Sequence, residues 1–192
     1  MNATNTAWIS ENEKAHGANW RSWLGHLKGK PVMGLELGSW MGESAEWMLD
    51  NIFTHPDSLY VGVDTFEGSE EHHLAGIDCS HIHQDAKDRL ARFGSRSQLV
   101  KAYSHKHGWT IPLDFVYIDA AHDAQNVLRD SVLHFEYLKV GGVMVWDDFG
   151  WTVMPHEIDR PKMAVEAFIS CYARKVEVIG MGWQVAVRKT SE

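Results

Sequence analysis

Little in this chain ties it to a disulfide framework, a membrane or a nucleic acid. Only two cysteines, Cys79 and Cys171, stand among its 192 residues. They fall in no C-x-x-C or zinc-type spacing, so they read as free thiols of a reducing compartment. No apolar stretch is long enough to cross a bilayer, and the start from Met1 to Gly17 is too polar for a secretory signal. Cytoplasmic residence without membrane association is the expectation that follows. A basic face is missing as well: the net charge is -8, which argues against a phosphate-backbone partner. Nucleic acid is excluded on that ground. A small molecule is the expected partner, with self-association left open.

What is present suits a globular domain. Apolar residues make up 44% and charged residues 23%, near the average for soluble proteins. The length allows one substantial core and not two. A single domain over 1–192 is therefore expected, with 1–18 as a polar tail that needs no order and 65–83 as an active-site loop. Twelve histidines and nine tryptophans are unusual, since such rings pack cores but also line pockets for flat or polar ligands.

Hydrophobic periodicity gives strands alternating with helices. Trp20, Trp23, Leu24 and Leu27 mark an amphipathic helix, with Asn19 as candidate cap and Gly29 and Pro31 as its stop. Strand 32–36 leads through the turn Gly38 to Gly42 into a helix whose inner face is Ala45, Met48, Leu49, Ile52 and Phe53. Strand 59–63 ends at Asp64, and the polar run to His83 shows no clear period. Helix 84–93, closed by Gly94, precedes strands 98–102 and 113–118. A helix over 124–138 should turn Leu128, Val132, Phe135 and Leu138 inward, and Gly141-Gly142 should turn the chain into strand 143–146. A helix from Pro161 to Tyr172 follows. The last two strands, 176–179 and 183–187, are separated only by Gly180-Met181-Gly182, which allows nothing but an antiparallel hairpin. The fold class is α/β: a Rossmann-like, seven-stranded, mostly parallel sheet with helices on both faces and an antiparallel C-terminal hairpin strand.

In such a sheet, ligands bind at the C-terminal ends of the strands. Glu36, Asp64, Asp119 and the pair Asp147-Asp148 each close a strand. Carboxylates crowded along one edge repel unless cations or hydroxyl donors sit among them, so the pattern predicts a hydroxyl-rich ligand, a metal ion, or both. Gly38 and Gly42 would let the backbone approach a ligand closely, or would serve the turn alone. Their spacing is one glycine short of a dinucleotide fingerprint. Asp64 suits a ribose diol, or a turn. Asp119, Asp147 and Asp148 can surround a hard divalent ion such as Mg2+, which would lower the pKa of a bound hydroxyl. His122, about one turn beyond Asp119, is then the candidate general base. The competing readings are a helix cap for Asp119, a solvated Asp148 and a hydrogen-bonded bystander in His122. His72, His73, His81 and His83 suit a hydrophilic lid better than a zinc cluster. Trp40, Trp109 and Trp151 are candidates for stacking on a ligand.

The runs LELGSWMGESAEWML, VGVDTFEGS and DFVYIDAAHDAQNVLRDSVLHFEYLKVGGVMVWDDFGW, in that order, resemble the S-adenosylmethionine-dependent methyltransferases of the group that includes macrocin O-methyltransferase. The resemblance spans roughly Trp20 to Trp151. It implies the Rossmann-like methyltransferase fold, with Glu36, Gly38, Ser39, Trp40, Gly42 and Ser44 around the amino acid part of S-adenosylmethionine. Asp64, flanked by Thr65 and Phe66, would hold the ribose hydroxyls, and Tyr103 or Ser104 would lie near the adenine. Asp119, Asp147 and Asp148 would bind Mg2+, with Asp119 also beside the cofactor and, like His122, catalytic. Ala120-Ala121 departs from the more usual glycine-containing run, and the His-rich loop after Gly68 does not align. The expected activity is O-methylation of a hydroxylated small molecule, a sugar or polyketide-type compound. A nicotinamide-dependent oxidoreductase and a non-catalytic binding subunit on the same sheet are the competing readings.

Overall fold

The computed structural model describes residues 16–192 apart from His107 and Met154, and the side chains of all of these except Glu70 and Glu71. In chain order the elements are α1 (Ala18–Leu24), β1 (Met33–Leu37), α2 (Glu43–Asn51), β2 (Leu59–Asp64), α3 (Glu70–Leu74), α4 (Ile82–Leu90), β3 (Ser97–Lys101), β4 (Leu113–Ile118), α5 (Ala124–Phe135), β5 (Leu138–Trp146), α6 (Pro161–Cys171), β6 (Val176–Met181) and β7 (Val185–Lys189). The strands form one seven-stranded sheet in the order β3-β2-β1-β4-β5-β7-β6. The first five pair in parallel, and β7 runs antiparallel to both β5 and β6. The α/β class, the parallel body and the antiparallel hairpin are thus as expected. Strand order reverses between β1 and β4, which creates the crevice where open α/β sheets take their ligands.

Alternation along the strands separates two cores. Leu35 and Leu37, Val61 and Val63, Val116 and Ile118, and Val185 and Val187 share one face, which packs beneath α5 and α6 through Val127, Phe135, Val165 and Phe168. This face is mainly aliphatic. The opposite face carries Tyr60, Phe115 and Tyr117, and meets α1 and α2 through Trp20, Trp23, Trp47, Met48 and Phe53. Its rings meet edge to face, Trp20 with Trp47 at 4.9 Å and Phe53 with Tyr60 at 5.1 Å, a favoured geometry for aromatic pairs.

Register brings the strand ends level. Leu37 pairs with both Val63 and Ile118, and Ile118 with Trp146. The next residues outward, Gly38, Asp64, Asp119 and Asp147, therefore share one rim. The amides of Gly38, Asp119 and Asp147 donate to Val63, Leu37 and Ile118 at 2.8, 2.8 and 3.0 Å. Glu36 lies one pleat lower, on the aromatic face.

Several elements differ from expectation. The position before α1 is Gly17, without a side-chain cap, and Asn19 lies inside the helix. The tail expected over 1–18 falls outside the described residues up to Ala15, and Ala18 already opens α1. The first strand runs one residue later than expected and the third one residue earlier. The loop 65–83 contains α3, and α4 starts at Ile82; its last turn passes into a tighter helix, Ala91–Arg96, that kinks at Gly94. Helix α5 stops at Phe135, and its phase is set by Val127, Ser131 and Phe135, which turns Leu128 to the solvent side. Leu138 belongs to β5, where Gly141 and Gly142 form an irregularity in the pairing with β4 and not a turn before it. The hairpin turn is Gly182-Trp183-Gln184, because Gly180 still pairs with Ala186 beyond a bulge. Both cysteines are free, and among the described residues no helix is long and apolar enough to cross a membrane.

Candidate active site

Outside the ends of β1, β2, β4 and β5 lies a cleft of about 520 Å³, lined among others by Gly38, Ser39, Trp40, Ser44, Asp64, Asp119, His122, Asp147 and Asp148. A smaller cleft of about 280 Å³ adjoins it, sharing Gly38, Asp64, Thr65 and Ala120 and adding Tyr103, Ser104, His105 and Asn126. Among the described residues, the non-glycine positions with positive φ are Trp40, Phe66 and Asp148. All three follow a strand end at this rim, and unfavourable backbone of this kind collects where structure serves a site.

In the β1–β2 half, the acids hold the protein's own groups. Glu36 is fully buried beneath the turn, and the Ser44 hydroxyl donates to its Oε1. The Ser39 and Tyr60 hydroxyls sit beside this carboxyl, but neither they nor Oε2 makes a hydrogen bond of regular geometry among the described residues. Burial, opposed by the serine hydroxyls, pushes the Glu36 pKa up to about 8, so the group is largely a neutral acid at pH 7. Glu36 does not open onto the cleft; Ser39 and Ser44 stand between them. Asp64 ties the turn to β2, its Oδ2 accepting the Trp40 amide at 2.8 Å and its Oδ1 the Phe66 amide at 2.6 Å. Each oxygen keeps a further acceptor site toward the two clefts.

The glycines of the turn answer to the chain itself. Gly38 has φ +87°, and a Cβ there would lie 2.0 Å from the Asp119 carbonyl oxygen. Gly42, at φ +76°, precedes α2 and packs against Leu90. Both positions therefore serve the turn, through close packing of β1 on β4 and of α2 on α4, while Gly38 also lines both clefts.

Arg89 fixes the same turn from α4, donating to the Met41 carbonyl at 2.9 Å, to Glu46 at 2.8 Å and to Glu43 at 3.2 Å. Nothing local in the sequence marks Arg89 for this role. His72 stacks on Trp40 at 4.0 Å and pairs with Ser69, closing one side of the cleft. Phe66 turns into a small cluster with Ile82 and Ala86, stacked by His83. The four loop histidines are dispersed in this way and do not converge.

The β4–β5 half is crowded with charge. Asp123, not Asp119, caps α5 by accepting the Asn126 amide at 3.0 Å, which leaves Asp119 facing the cleft. His122 Nε2 lies 3.1 Å from Asp148 Oδ2 and 3.9 Å from Asp119 Oδ1. Ligand atoms from Asp119, His122 and Asp148 lie within 4.8 Å of one another, the arrangement among the described residues best placed to hold a metal. Asp147 shares the rim but serves a different set of partners. It accepts from the Tyr117 hydroxyl, from Gln184 Nε2 at 3.1 Å and from the Asp148 amide at 2.8 Å. Gln184 in turn accepts the Trp20 indole N–H at 2.7 Å. Burial, then the charge of Asp147, raises the Asp119 pKa well above the carboxylate range, with His122 opposing. Trp151 stands 5.0 Å from the His122 ring. Trp109, expected as a stacking candidate, is buried in the aliphatic core and donates to the Ile111 carbonyl. Sequence reading missed Gln184 and Trp183 because they lie in the displaced hairpin turn.

A family described as a methyltransferase domain matches residues 35–149. The chain belongs to that family. Protein R132 of Acanthamoeba polyphaga mimivirus is 32% identical over 123 residues, covering 53% of this chain and 56% of its own length, so the chain spans about half the length of that curated relative. Solved structures share the fold at low identity. The O-methyltransferase TomG from Streptomyces achromogenes aligns at a TM-score of 0.59 and 18% identity, over 91% of this chain and 77% of its own. The Bacillus cereus O-methyltransferase aligns at 0.59 and 16%, over 98% and 82%. The N-methyltransferase NodS from Bradyrhizobium japonicum aligns at 0.60 and 13%, over 94% and 99%. The seven-stranded Rossmann-like sheet with its antiparallel closing strand is therefore a methyltransferase fold.

Proposed function

We propose that this methyltransferase domain moves the methyl group of S-adenosylmethionine to a hydroxyl oxygen of a small molecule, assisted by a divalent ion. The observation that carries the reading is the pair of adjoining clefts at the switch point, joined at Gly38 and Asp64. The smaller one, beside Tyr103 and Ser104, suits the adenine, Asp64 suits the ribose diol between them, and Ser39 and Ser44 face the amino acid end. TomG is described in complex with S-adenosylmethionine and the Bacillus cereus enzyme with S-adenosylhomocysteine, which supports the same cofactor here. The NodS likeness shows that this fold also serves nitrogen acceptors; the preference for oxygen rests on the acidic rim.

S-adenosylmethionine supplies a methyl carbon on a positively charged sulfur; the acceptor oxygen bonds to that carbon as the C–S electron pair returns to sulfur, leaving the neutral thioether. The chain's contribution is mostly placement. The hydroxyl proton passes to the pair formed by His122 and Asp148, a histidine beside a carboxylate being suited to hold it near neutral pH. Asp119 and Asp148 would hold a small divalent cation such as Mg2+ through their carboxylates, with His122 beside them taking the proton and not coordinating the ion. Such an ion would hold the acceptor oxygen and lower the pKa of its proton. Asp147, engaged with Tyr117 and Gln184, braces Asp148 from behind.

Titration calorimetry with S-adenosylmethionine and S-adenosylhomocysteine tests the reading. Binding of both is expected, with NADH giving no signal. A folded sample that evolves no heat with either adenosyl compound overturns it.

A further inference from the structure

A third cleft, of about 440 Å³, begins where the methyl-transfer cleft ends. Asp148 lines the first and Phe149 the other; Trp183 lines the first and Gly182 the other. The two strips of chain that enclose it are fixed to each other. The Phe149 amide donates to the Trp183 carbonyl at 2.9 Å, and the Trp183 ring lies so close on Gly150 that a Cβ there would sit 2.7 Å from it. Trp183 is nonetheless 51% exposed, and Met163, on the facing wall, 44%. Rings and thioethers left open to water beside a reaction centre gain by covering a ligand's apolar body.

Charge narrows the choice. Arg160 pairs with Glu157 and Lys162 with Glu166, each at 3.8 Å, so the basic groups at this cleft already have acidic partners and do not select an anion. Thr152 and these two balanced ion pairs make up the polar part of the lining, while Phe149, Trp151 and Met163 form an apolar strip that continues from Trp183 at the reaction centre. Resting on the methyltransferase reading above, we propose that the acceptor is an uncharged, planar phenolic compound. Its ring system lies against Trp151, Trp183 and Met163, with the reacting hydroxyl at His122 and Asp148. The volume suits a fused bicyclic or tricyclic skeleton and not a peptide.

The test uses the full chain saturated with S-adenosylhomocysteine, and calorimetry with dihydroxynaphthalene, naphthyl phosphate and methyl glucoside as probes. Dihydroxynaphthalene is expected to bind, with the other two weaker by about tenfold or more. Met163→Glu, an exposed position where folding is not at stake, should weaken dihydroxynaphthalene by about tenfold and leave the affinity for S-adenosylhomocysteine unaltered. Trp183→Ala should weaken it by a similar factor. Preferential binding of the glucoside or the phosphate, or dihydroxynaphthalene binding that Met163→Glu does not touch, overturns the phenolic assignment while the methyltransferase reading stands. Failure of S-adenosylhomocysteine itself to bind removes the reading beneath both.

Discussion

At the β1–β2 end of the rim, Asp64 accepts the amides of Trp40 and Phe66, and Glu36 lies neutral beneath a serine hydroxyl. At the β4–β5 end, Asp119 and Asp148 face each other across His122, with Asp147 close behind. The first arrangement spends Asp64 on the chain's own amides and keeps Glu36 neutral, and so holds a turn rigid, which is what positioning a cofactor requires. The second leaves acids together, and burial, then the neighbouring charge of Asp147, raises the Asp119 pKa, a tension between the carboxylates. A cation or a proton relieves that tension, so this end is built for chemistry and the other for placement.

The contrast breaks first at Asp119. Asp119→Asn should reduce methyl transfer to dihydroxynaphthalene by about 100-fold or more, while raising stability at neutral pH by about 1 kcal/mol, because a neutral amide replaces a carboxyl whose ionised form this site disfavours. Asp147→Asn should do the opposite to stability, lowering it by about 1–3 kcal/mol, since Tyr117 and Gln184 lose a charged acceptor. Initial rates and urea unfolding on the two variants decide. If Asp119→Asn destabilises the fold as Asp147→Asn does, the two acids are equivalent and the division of labour at this end fails.

The two ends touch at Gly38. The Cβ of an alanine there meets the Asp119 backbone carbonyl at 2.0 Å, at φ +87°, and should lower stability by about 2–4 kcal/mol. Gly42→Ala meets the flexible Leu90 side chain at 3.3 Å and the Ala86 Cα at an ordinary 3.7 Å, and should cost about 1 kcal/mol, mainly from the positive φ. Equal effects in urea unfolding would mean that the β1 turn and the end of β4 move apart freely, and the halves would then be independent.

How far the sequence alone reaches follows the same line. The strand ends at Asp64, Asp119 and Asp147 were legible because aliphatic runs such as Leu113 to Ile118 carry a strong local signal, and the terminal hairpin because its link is too short for a crossover. The phase of α5 was not: Leu128 and Val127 are equally apolar, and only packing against Phe168 selects the second. Gly141-Gly142 looked like a turn because glycine marks turns and irregular strands alike. The consecutive acids Asp147 and Asp148 look interchangeable in sequence. They are separated by partners far along the chain, Tyr117 and Gln184 for one and His122 for the other, and by positive φ at Asp148. Long-range pairing of this kind leaves no local trace. The His-rich loop is similar, since the stacking of His72 on Trp40 joins two segments that show no common period.

Glu36 sharpens the comparison through its dependence on pH. Its folded pKa of about 8 stands above the ordinary value of 4.5, so the folded state favours the protonated form. That contribution is complete below the unfolded pKa and declines as pH rises through the folded one. Parent stability should therefore fall between about pH 5 and pH 9 by a component assigned to Glu36. Glu36→Gln keeps the shape, leaves Ser44 its acceptor and cannot ionise, so its unfolding free energy should fall less across that range, by up to about 4 kcal/mol. Urea unfolding at several pH values measures the difference directly. Parallel curves for parent and variant would show that Glu36 ionises as an ordinary carboxylate, and that the placement half of the rim carries as much unrelieved charge as the chemical half.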